Sequence, residues 1–579
     1  MRRRAPQIFR SLLKTLGGDR PAVLAESPKA RNIAQSDRRQ RTLMRAKGRA
    51  AALAPLLAAL LSGCAVGPDF AAPDAPLGAG YAVGKPVSVT QSAAIAGGGA
   101  QRLVPGHDIP GEWWRLFRSK QISALVAEAV NNHPNIAAAE AALRQARETT
   151  EADVGSFFPS ATLTQSVART QMTTAQFGGL GQSSSSSSGS QSSSSSGPTA
   201  LIYTLHNTNA AVSFTPDVFG KTIRTVESDV AAAEYQRYQL EATYLALTAN
   251  VVTAAITDSL YASQIKVTRD LIAAYQKQLD ILQKRFELGA VSAADVVSEK
   301  ALVAQAQATL PPLEKARAQT RNQLMAYLGR FPNDDKGEAI DIEHLHLPRD
   351  LPISLPSNLV RQRPDVLSAE AQLHQASANV GVATANMLPQ LTLTGNGGSQ
   401  ASNFSQLFLP QTSVYNLATQ LSGQAFDAGR LFHQREAKLA ALEQAEAQYR
   451  ATVISAFQNV ANALQAIKHD AETLRAQVAA EKAAAESLDI SQAQYSAGST
   501  TYPTVLNAAQ TLLNARLNRV QAQAARFSDT AALMQALGGG WWNRIDETPA
   551  SLPKPTDLIS TLPIAAAIRA EAEERSRAR

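Results

Sequence analysis

Cysteine is nearly absent from this sequence, because Cys64 is the only one among 579 residues. One thiol cannot form a disulfide within the chain, and it is too few for a zinc or iron–sulfur site. A catalytic thiol would need an activating base, and no histidine lies within forty residues of Cys64 in the sequence. The thiol is therefore either packed in a core helix or used for covalent attachment.

The residues before Cys64 are arranged like a secretory signal. Three basic residues lie in segment 44–50, twelve apolar residues occupy 50–61, and two small residues follow. The apolar run is about half as long as a membrane-spanning helix needs to be. Residues 61–64, LSGC, resemble a bacterial lipobox, which implies that the cysteine is acylated and becomes the first residue of the mature chain. Ala65 follows it, and in the lipoproteins that this segment resembles, the lack of an aspartate there favours export to the outer membrane.

The length of the signal and the charge both bear on where the chain begins. A signal of 63 residues is unusually long, whereas one that starts at Met44 has 20. We therefore expect translation to begin at Met44, or residues 1–43 to be dispensable, which N-terminal sequencing of the unprocessed precursor would test. Residues 1–63 carry 14 basic and 3 acidic side chains, whereas the other 516 residues carry 41 and 45. The mature chain is mildly acidic, so its charge gives no indication of nucleic-acid binding.

The mature sequence contains an internal repeat. Residues 133–164 align with residues 363–394 without a gap, and 11 of the 32 positions are identical. A second register, offset by 209 residues, begins with Gly220 opposite Gly429 and continues through the long segments that follow. Each half of the chain therefore contains the same parts in the same order.

Glycine and proline are missing from two runs of 68 residues each, 221–288 and 430–497. Both runs are rich in good helix formers, and apolar residues from Ile272 to Phe286 follow a coiled-coil spacing. A continuous helix of this length spans about 100 Å, which is wider than a compact domain.

A glycine follows each run, Gly289 in the first half and Gly498 in the second. Glycine commonly ends a helix and begins a turn. Further helical segments follow at 293–328, which we expect Pro311-Pro312 to interrupt, and at 504–537. The sequence thus predicts one long helical hairpin in each half.

Four short segments alternate apolar and polar residues, as strands with one buried face do. We expect strands of about ten residues or fewer at 161–169, 209–215, 390–395 and 415–423. The connection between the first two contains a serine-rich loop, 181–197, which we expect to be disordered and exposed to solvent.

Long apolar runs are absent after residue 64, so we expect no membrane-spanning helix in the mature chain. Strands that cross a bilayer must close into a barrel, and four are too few, because the smallest barrels have about eight. If the chain crosses a membrane, it must therefore assemble with copies of itself. Three copies would give twelve strands and, with the internal repeat, a ring of pseudo-six-fold symmetry.

Six short motifs connect this sequence to a known family. They are CAVGPDF (64–70), WWRLF (113–117), DVFG (217–220), the Gly, Ser and Asp-Val of 289–296, RPDV with Ala-Glu (363–370) and LGGGW (537–541). In these motifs, and in their order, the chain resembles the TolC-like outer membrane efflux proteins, specifically the NodT-type outer-membrane efflux lipoproteins. The resemblance covers residues 60 to about 545.

The resemblance implies a fold that is mainly α with a small β part. It implies a trimeric channel-tunnel, in which long antiparallel helical hairpins form an α-barrel continuous with a 12-stranded transmembrane β-barrel, four strands per protomer. It also implies a lipid-anchored protein of the bacterial outer membrane that extends into the periplasm. The channel would be a passive exit duct for small molecules, which an inner-membrane pump supplies through a periplasmic adaptor.

The turns at the ends of the two hairpins, around 288–295 and 497–505, match the places where members of the family meet the adaptor and where the tunnel closes. The family often has acidic residues at the second turn, but the segment AGSTTYPTVLNAAQ (497–510) has none. An aspartate ring is therefore not expected there, and Asp295 is the nearest acidic alternative. The expected adaptor and gate residues are Gly289, Ser292, Asp295, Gly498, Thr500, Tyr502 and Asn507.

Catalytic motifs are absent as well. FGKT (219–222) lacks the glycine spacing of a phosphate loop, and His344 and His346 have no evident third metal ligand. We expect no enzyme activity, no metal site and no cofactor other than the lipid on Cys64. Two other functions remain open: the outer-membrane duct of a one-step protein secretion system, and a lipid-anchored periplasmic coiled-coil scaffold without a pore.

These patterns divide the chain into seven parts. They are an extension (1–43), a signal peptide (44–63), an N-terminal equatorial segment (64–118), the first repeat (119–330), a linker (331–356), the second repeat (357–540) and a partly disordered C-terminal tail (541–579).

Overall fold

The computed structural model describes residues 65–74, 81, 88–173, 200–337, 340–353 and 356–544. The lipid anchor predicted at Cys64 lies outside these residues. The extension, the signal peptide, the serine-rich loop and the tail beyond residue 544 lie outside them too. What the sequence predicts there, and the division into seven parts, stay predictions.

Eight α-helices lie within the described residues. Two are very long, because α3 (Lys221–Glu287) and α7 (Arg430–Ser496) have 67 residues each and span about 100 Å. Each is followed by a helix of 35 residues, α4 (Ala293–Tyr327) and α8 (Tyr502–Ala536), so two long hairpins form as the sequence predicts. The shorter helices are α1 (Lys120–Asn132), α2 (Pro134–Val154), α5 (Pro356–Gln362) and α6 (Pro364–Ala385).

Glycine marks the beginning of both long helices. Gly220 and Gly429 directly precede α3 and α7 with φ angles of 76° and 85°. Residues with a side chain rarely adopt this left-handed conformation, whereas glycine does so without strain. Because no glycine or proline follows within either helix, nothing in the backbone interrupts them.

The expected interruption at Pro311-Pro312 was wrong, because α4 continues through both prolines. Each proline removes one hydrogen bond to the carbonyl four residues earlier. Both prolines and residues 307–308, which carry the freed carbonyls, are exposed, so water can satisfy those oxygens. Buried residues on either side, Leu302 and Leu324 among them, keep the helix packed.

The main sheet has four antiparallel strands, β2 (Ser160–Thr173), β3 (Ala200–Phe214), β5 (Gln390–Ala401) and β6 (Ser413–Ser422). They lie side by side in the order β2-β3-β5-β6. All four occur where the sequence predicts strands, but the first three are longer than expected, with 14, 15 and 12 residues. In β5, glycines at 395, 397 and 398 interrupt the side-chain alternation while the backbone continues to pair.

A second sheet pairs the N-terminal part with the linker. Its two parallel strands are β1 (Arg102–Pro105) and β4 (Asp350–Ile353), so the linker predicted at 331–356 contains a strand. The main hydrophobic core lies beside the middle of α3 and includes the buried rings of Trp113 and Phe117. Phe117 also contacts Phe527 of α8, with 6.2 Å between ring centroids, which ties the N-terminal part to the last helix.

One helix among the described residues, α3, contains a stretch long and apolar enough to cross a membrane, with a mean hydropathy of 1.2. This differs from the expectation that no such helix follows residue 64. Over half of the stretch, 56%, is buried inside the protomer. A mostly buried core helix has the same composition, so this one stretch is weak support for a helical membrane span.

Candidate functional site

The main sheet has one apolar face, and that face is exposed in the protomer. Residues paired across neighbouring strands point to the same side of a sheet. Leu163 of β2 and Val212 of β3 lie on the same side, and Val212 pairs with Gly395, which pairs with Leu417 of β6. The exposed apolar residues of this face are Leu163, Val167, Ile202, Val212, Tyr415, Leu417 and Leu421.

The opposite face of the same sheet is mostly polar. Thr164 pairs with Asn209, and Thr392 pairs with Gln420, so these hydroxyl and amide side chains share the second side. Leu163 and Leu417, on the first side, are 78% and 80% exposed. A contiguous exposed apolar surface of this kind is typical of a membrane or protein contact, and apolar-out, polar-in alternation is typical of strands that line a water-filled barrel.

The sheet ends in two strands that are paired on one side only. Within the described residues, β2 pairs with β3 and β6 pairs with β5. Each therefore presents a row of backbone N–H and C=O groups on its outer side, a template for a further strand. Because the sheet has four antiparallel strands, its two edge strands run in opposite directions.

The turns at the ends of the hairpins form two tips with the same backbone geometry. Gly289 and Gly498 both have a φ of 73°. The N–H of Gly289 donates to the carbonyl of Phe286, and that of Gly498 donates to the carbonyl of Tyr495, at 2.8 and 3.0 Å. These left-handed glycines end α3 and α7, which agrees with the turns expected from the sequence.

At the first tip, Asp295 has a structural role. The Ser292 hydroxyl accepts a hydrogen bond from the Asp295 N–H at 3.2 Å, and the Asp295 carboxylate accepts one from the Ser292 N–H at 3.3 Å. This reciprocal pair is a capping box, which starts α4. The Asp295 carboxylate also raises the pKa of Tyr495, after burial as the larger cause, so Asp295 lies beside the second hairpin.

At the second tip, the three expected residues other than Gly498 occupy different environments. The Thr500 hydroxyl donates to the Thr504 hydroxyl at 3.1 Å on the exposed surface. Asn507 is exposed, one to two turns into α8. Tyr502 is buried, and its ring packs against that of Tyr495 with 4.9 Å between centroids.

Tyr502 also joins the two hairpins through a residue that the sequence did not single out. Its hydroxyl donates a hydrogen bond of 2.6 Å to the carboxylate of Glu299 on α4. Burial raises the pKa of Glu299, and the hydrogen bond from Tyr502 opposes that shift. In the sequence, Glu299 lies three residues after Val296 and four before Val303, which is the spacing of an apolar seam. A carboxylate at such a position was the one sequence feature that could have indicated this contact.

A second polar cluster missed in the sequence lies where the sheet meets the helices. It consists of Arg224 and Glu227 on α3 and His374 on α6. His344 and His346, for which the sequence predicts no metal site, lie elsewhere. The His344 ring is 3.3 Å from Asp341, and the His346 N–H donates to the carbonyl of Phe117. Within the described residues, no group of three or more candidate ligands is close enough to hold a metal ion.

Comparisons with known proteins agree with this arrangement. The sequence profile described as outer membrane efflux protein matches residues 125–330 and 355–539. The toluene efflux pump outer membrane protein TtgC of Pseudomonas putida is 26% identical over 486 residues, which cover 84% of this chain and 94% of TtgC. The cation efflux system protein CusC of Escherichia coli is 25% identical over 500 residues, which cover 84% and 98%.

Solved structures share the fold. The outer-membrane channel OprN superposes with a TM-score of 0.70 at 23% identity, covering 83% of this chain and all of OprN. The CmeC outer membrane channel of Campylobacter jejuni gives a TM-score of 0.71 at 19% identity, covering 83% of this chain and 96% of CmeC. At these identities the likeness shows the fold.

Proposed function

Because the chain belongs to the outer membrane efflux protein family, we propose that three copies of it close one β-barrel from their four-stranded sheets. The chain is the outer-membrane channel component of an efflux system, and its helical part extends into the periplasm. Such channels work together with inner-membrane pumps and periplasmic adaptors. The copy number, the closed barrel and the internal repeat belong to the proposal.

The two edge strands carry this proposal. In a ring, β6 of one protomer would pair with β2 of the next, and the opposite directions of these edges keep that new pair antiparallel. Contact between two different edges is head-to-tail, and a head-to-tail interface closes into a ring when the rotation fits. Four strands per copy would give a barrel of twelve, with the apolar face toward lipid and the polar face toward the lumen.

The two helical hairpins would continue this barrel as a cylinder of helices about 100 Å long. Small molecules would pass through it passively. Across the membrane, the polar face of the sheet would line the same passage. Three relatives are named for the efflux of toluene, pyoverdine and cations, and all are 25–28% identical to this chain. Cargo this varied in equally distant relatives supports a generic duct, with selection made by the pump.

We place the gate at the two tips. The Tyr502–Glu299 hydrogen bond and the contact of Asp295 with Tyr495 hold the first hairpin against the second within one protomer. A periplasmic adaptor would open the tips only by binding the separated arrangement more tightly than the closed one. Gly289, Ser292, Gly498, Thr500 and Asn507 would shape the surface that it meets.

Conductance of the purified, acylated protein in a planar lipid bilayer tests this function. A channel predicts discrete conductance steps, whereas a periplasmic scaffold without a pore predicts none, and absence of steps would contradict the proposal. Gene deletion separates efflux from the secretion duct. Loss of an efflux channel increases sensitivity to small toxic compounds and leaves secreted proteins unchanged, while the reverse result would indicate secretion.

A further inference from the structure

The first described residues of the mature chain, 65–70, lie in a narrow slot between α3 and α6. Two glycines make the slot possible. A Cβ atom at Gly67 would fall 2.4 Å from the Cα atom of Gly381 on α6, and one at Gly220 would fall 2.5 Å from the Cα atom of Ala65. Real side chains do not approach backbone atoms this closely, so the slot admits the segment only because these positions lack side chains.

Arg224 holds the segment in the slot. Its guanidinium group donates to the carbonyl of Val66 at 3.2 Å and to the carboxylate of Asp69 at 2.6 Å. The side chain is only 5% exposed, whereas that of Asp69 is 93% exposed. The Val66 N–H donates to the carbonyl of Phe219 at 3.2 Å. Bonds from one buried cation to both ends of a four-residue stretch fix its position and direction.

Glu227 connects this arginine to a second contact. Its carboxylate accepts a hydrogen bond of 2.7 Å from Arg224 and lies 2.9 Å from the Nε2 atom of His374. The His374 ring stacks on Phe70, with 4.3 Å between centroids and 13° between planes. The cluster of Arg224, Glu227 and His374 is called here the clasp. It contacts the N-terminal segment at Val66, Asp69 and Phe70.

Within the part of the chain that the structure describes, the clasp occurs at only one of the two sequence-related junctions. In the other half of the chain, His433 takes the place of Arg224 in the alignment. Glu151 takes the place of Gly381, and Arg144 takes the place of His374. Gly429 aligns with Gly220. The described atom nearest to a Cβ atom at Gly429 would belong to the ring of His433, at 3.6 Å, and not to an N-terminal segment. The cluster is therefore not a general feature of how these long helices begin.

We infer that Arg224 is a positioning residue that holds the N-terminal segment, and with it the membrane anchor, at the junction of sheet and helices. The segment meets the connection between β3, which ends at Phe214, and α3, which begins at Lys221, through the contacts of Val66 with Phe219 and of Ala65 with Gly220. Ala65 follows Cys64 directly in the sequence, so the clasp fixes the described segment to which a lipid on Cys64 would be attached. The lipid is the acylation that the sequence predicts at Cys64 and rests on the proposed outer-membrane function, whereas the clasp does not.

An endoproteinase that cleaves before aspartate tests the clasp in the full-length protein purified from outer membranes. Cleavage before Asp69 requires the segment to leave the slot, whereas the exposed Asp74 lies outside the clasp and provides an internal reference. We expect Arg224→Gln to raise the ratio of cleavage at Asp69 to cleavage at Asp74 by about tenfold, as loss of a buried charge-assisted hydrogen bond does. Gly220→Ala should raise it similarly, by displacing Ala65.

Gly429→Ala is the matched control for Gly220→Ala. Both substitutions place a side chain at a left-handed residue directly before a helix of 67 residues, so they strain the backbone alike. The control should leave the cleavage ratio unchanged. An unchanged ratio in Arg224→Gln, or an equal rise in both glycine variants, would overturn the inference. Labelled palmitate is measured on the same samples: lack of incorporation in the wild type would refute the anchor, while the cleavage ratio would still decide on the clasp.

Discussion

The hydroxyl of Tyr502 donates a 2.6 Å hydrogen bond to the Oε2 atom of Glu299, and each of these residues is only 1% exposed. The bond joins α8 to α4 near the tips of the two hairpins. The other carboxylate oxygen of Glu299 is buried and has no hydrogen-bond partner among the described residues. A buried acid that depends on a single donor makes the contact between the two tips sensitive to that donor.

Tyr502→Phe should therefore loosen the tips. The substitution leaves a buried carboxylate without its donor, at a cost of about 1–3 kcal/mol. Passive uptake of large antibiotics should rise in a strain that lacks the cognate pump. Tyr275→Phe is the matched control, because Tyr275 is also buried and donates to α8, at the carbonyl of Ala509, but lies farther from the tip. Equal uptake in the two variants would argue against a gate at Tyr502.

Changes in the turns themselves should have the same direction. Asp295→Lys breaks the capping box of α4 and reverses the charge beside Tyr495, and Gly498→Val forces a branched side chain into a left-handed conformation. Both should raise uptake of large antibiotics, whereas Asp295→Asn, which retains an acceptor oxygen, should raise it less. Unchanged permeability in both Asp295→Lys and Gly498→Val would contradict the proposal that these tips form the gate.

The two faces of the sheet should respond differently to charge. Leu417 and Ala418 are neighbours on β6 that point to opposite sides. Leu417→Arg would place a charge in lipid, which costs about 2–4 kcal/mol near the middle of a bilayer, while Ala418→Arg would place it in the lumen. The yield of the heat-resistant oligomer on unboiled gels should fall in the first variant and not in the second. Equal yields would contradict the assignment of faces.

A pair of aspartates between α7 and α8 predicts a pH dependence of stability. Burial and the neighbouring Asp529 raise the pKa of Asp470 to about 7. The folded state therefore retains a proton that the unfolded state releases at its ordinary, lower pKa, so this pair makes stability fall as pH rises from about 4 to about 7. Asp470→Asn should flatten the decline. The measurement is the midpoint temperature of thermal unfolding of both proteins between pH 4 and pH 8. The same decline of this midpoint with pH in the wild type and in Asp470→Asn would contradict the prediction.

Much of the fold was predictable because single residue types determined it. The long helices follow from runs without glycine or proline, and their ends follow from Gly289 and Gly498, which take the conformation that glycine favours. The existence of the four strands was likewise visible in their alternation. Strand length was not, since backbone pairing continues through the glycines of β5 where no side chains alternate.

The missed features depend on contacts between distant parts of the chain. From the sequence, Pro311-Pro312 predicts an interruption of the helix. The helix continues because the freed carbonyls are exposed to solvent and the residues on either side are packed. Glu299 was visible only as a carboxylate on an apolar seam, and its partner lies 203 positions away. The clasp joins residue 69 to residue 224 and residue 227 to residue 374. No local pattern indicates pairings of this kind.

The number of copies in the purified protein tests the central claim most directly. Native mass spectrometry of the protein purified from outer membranes in detergent should give a particle of three protomers, because one sheet of four strands cannot satisfy its own edges in lipid. A monomer that stays in solution without detergent, after removal of any acyl chains, would contradict the account.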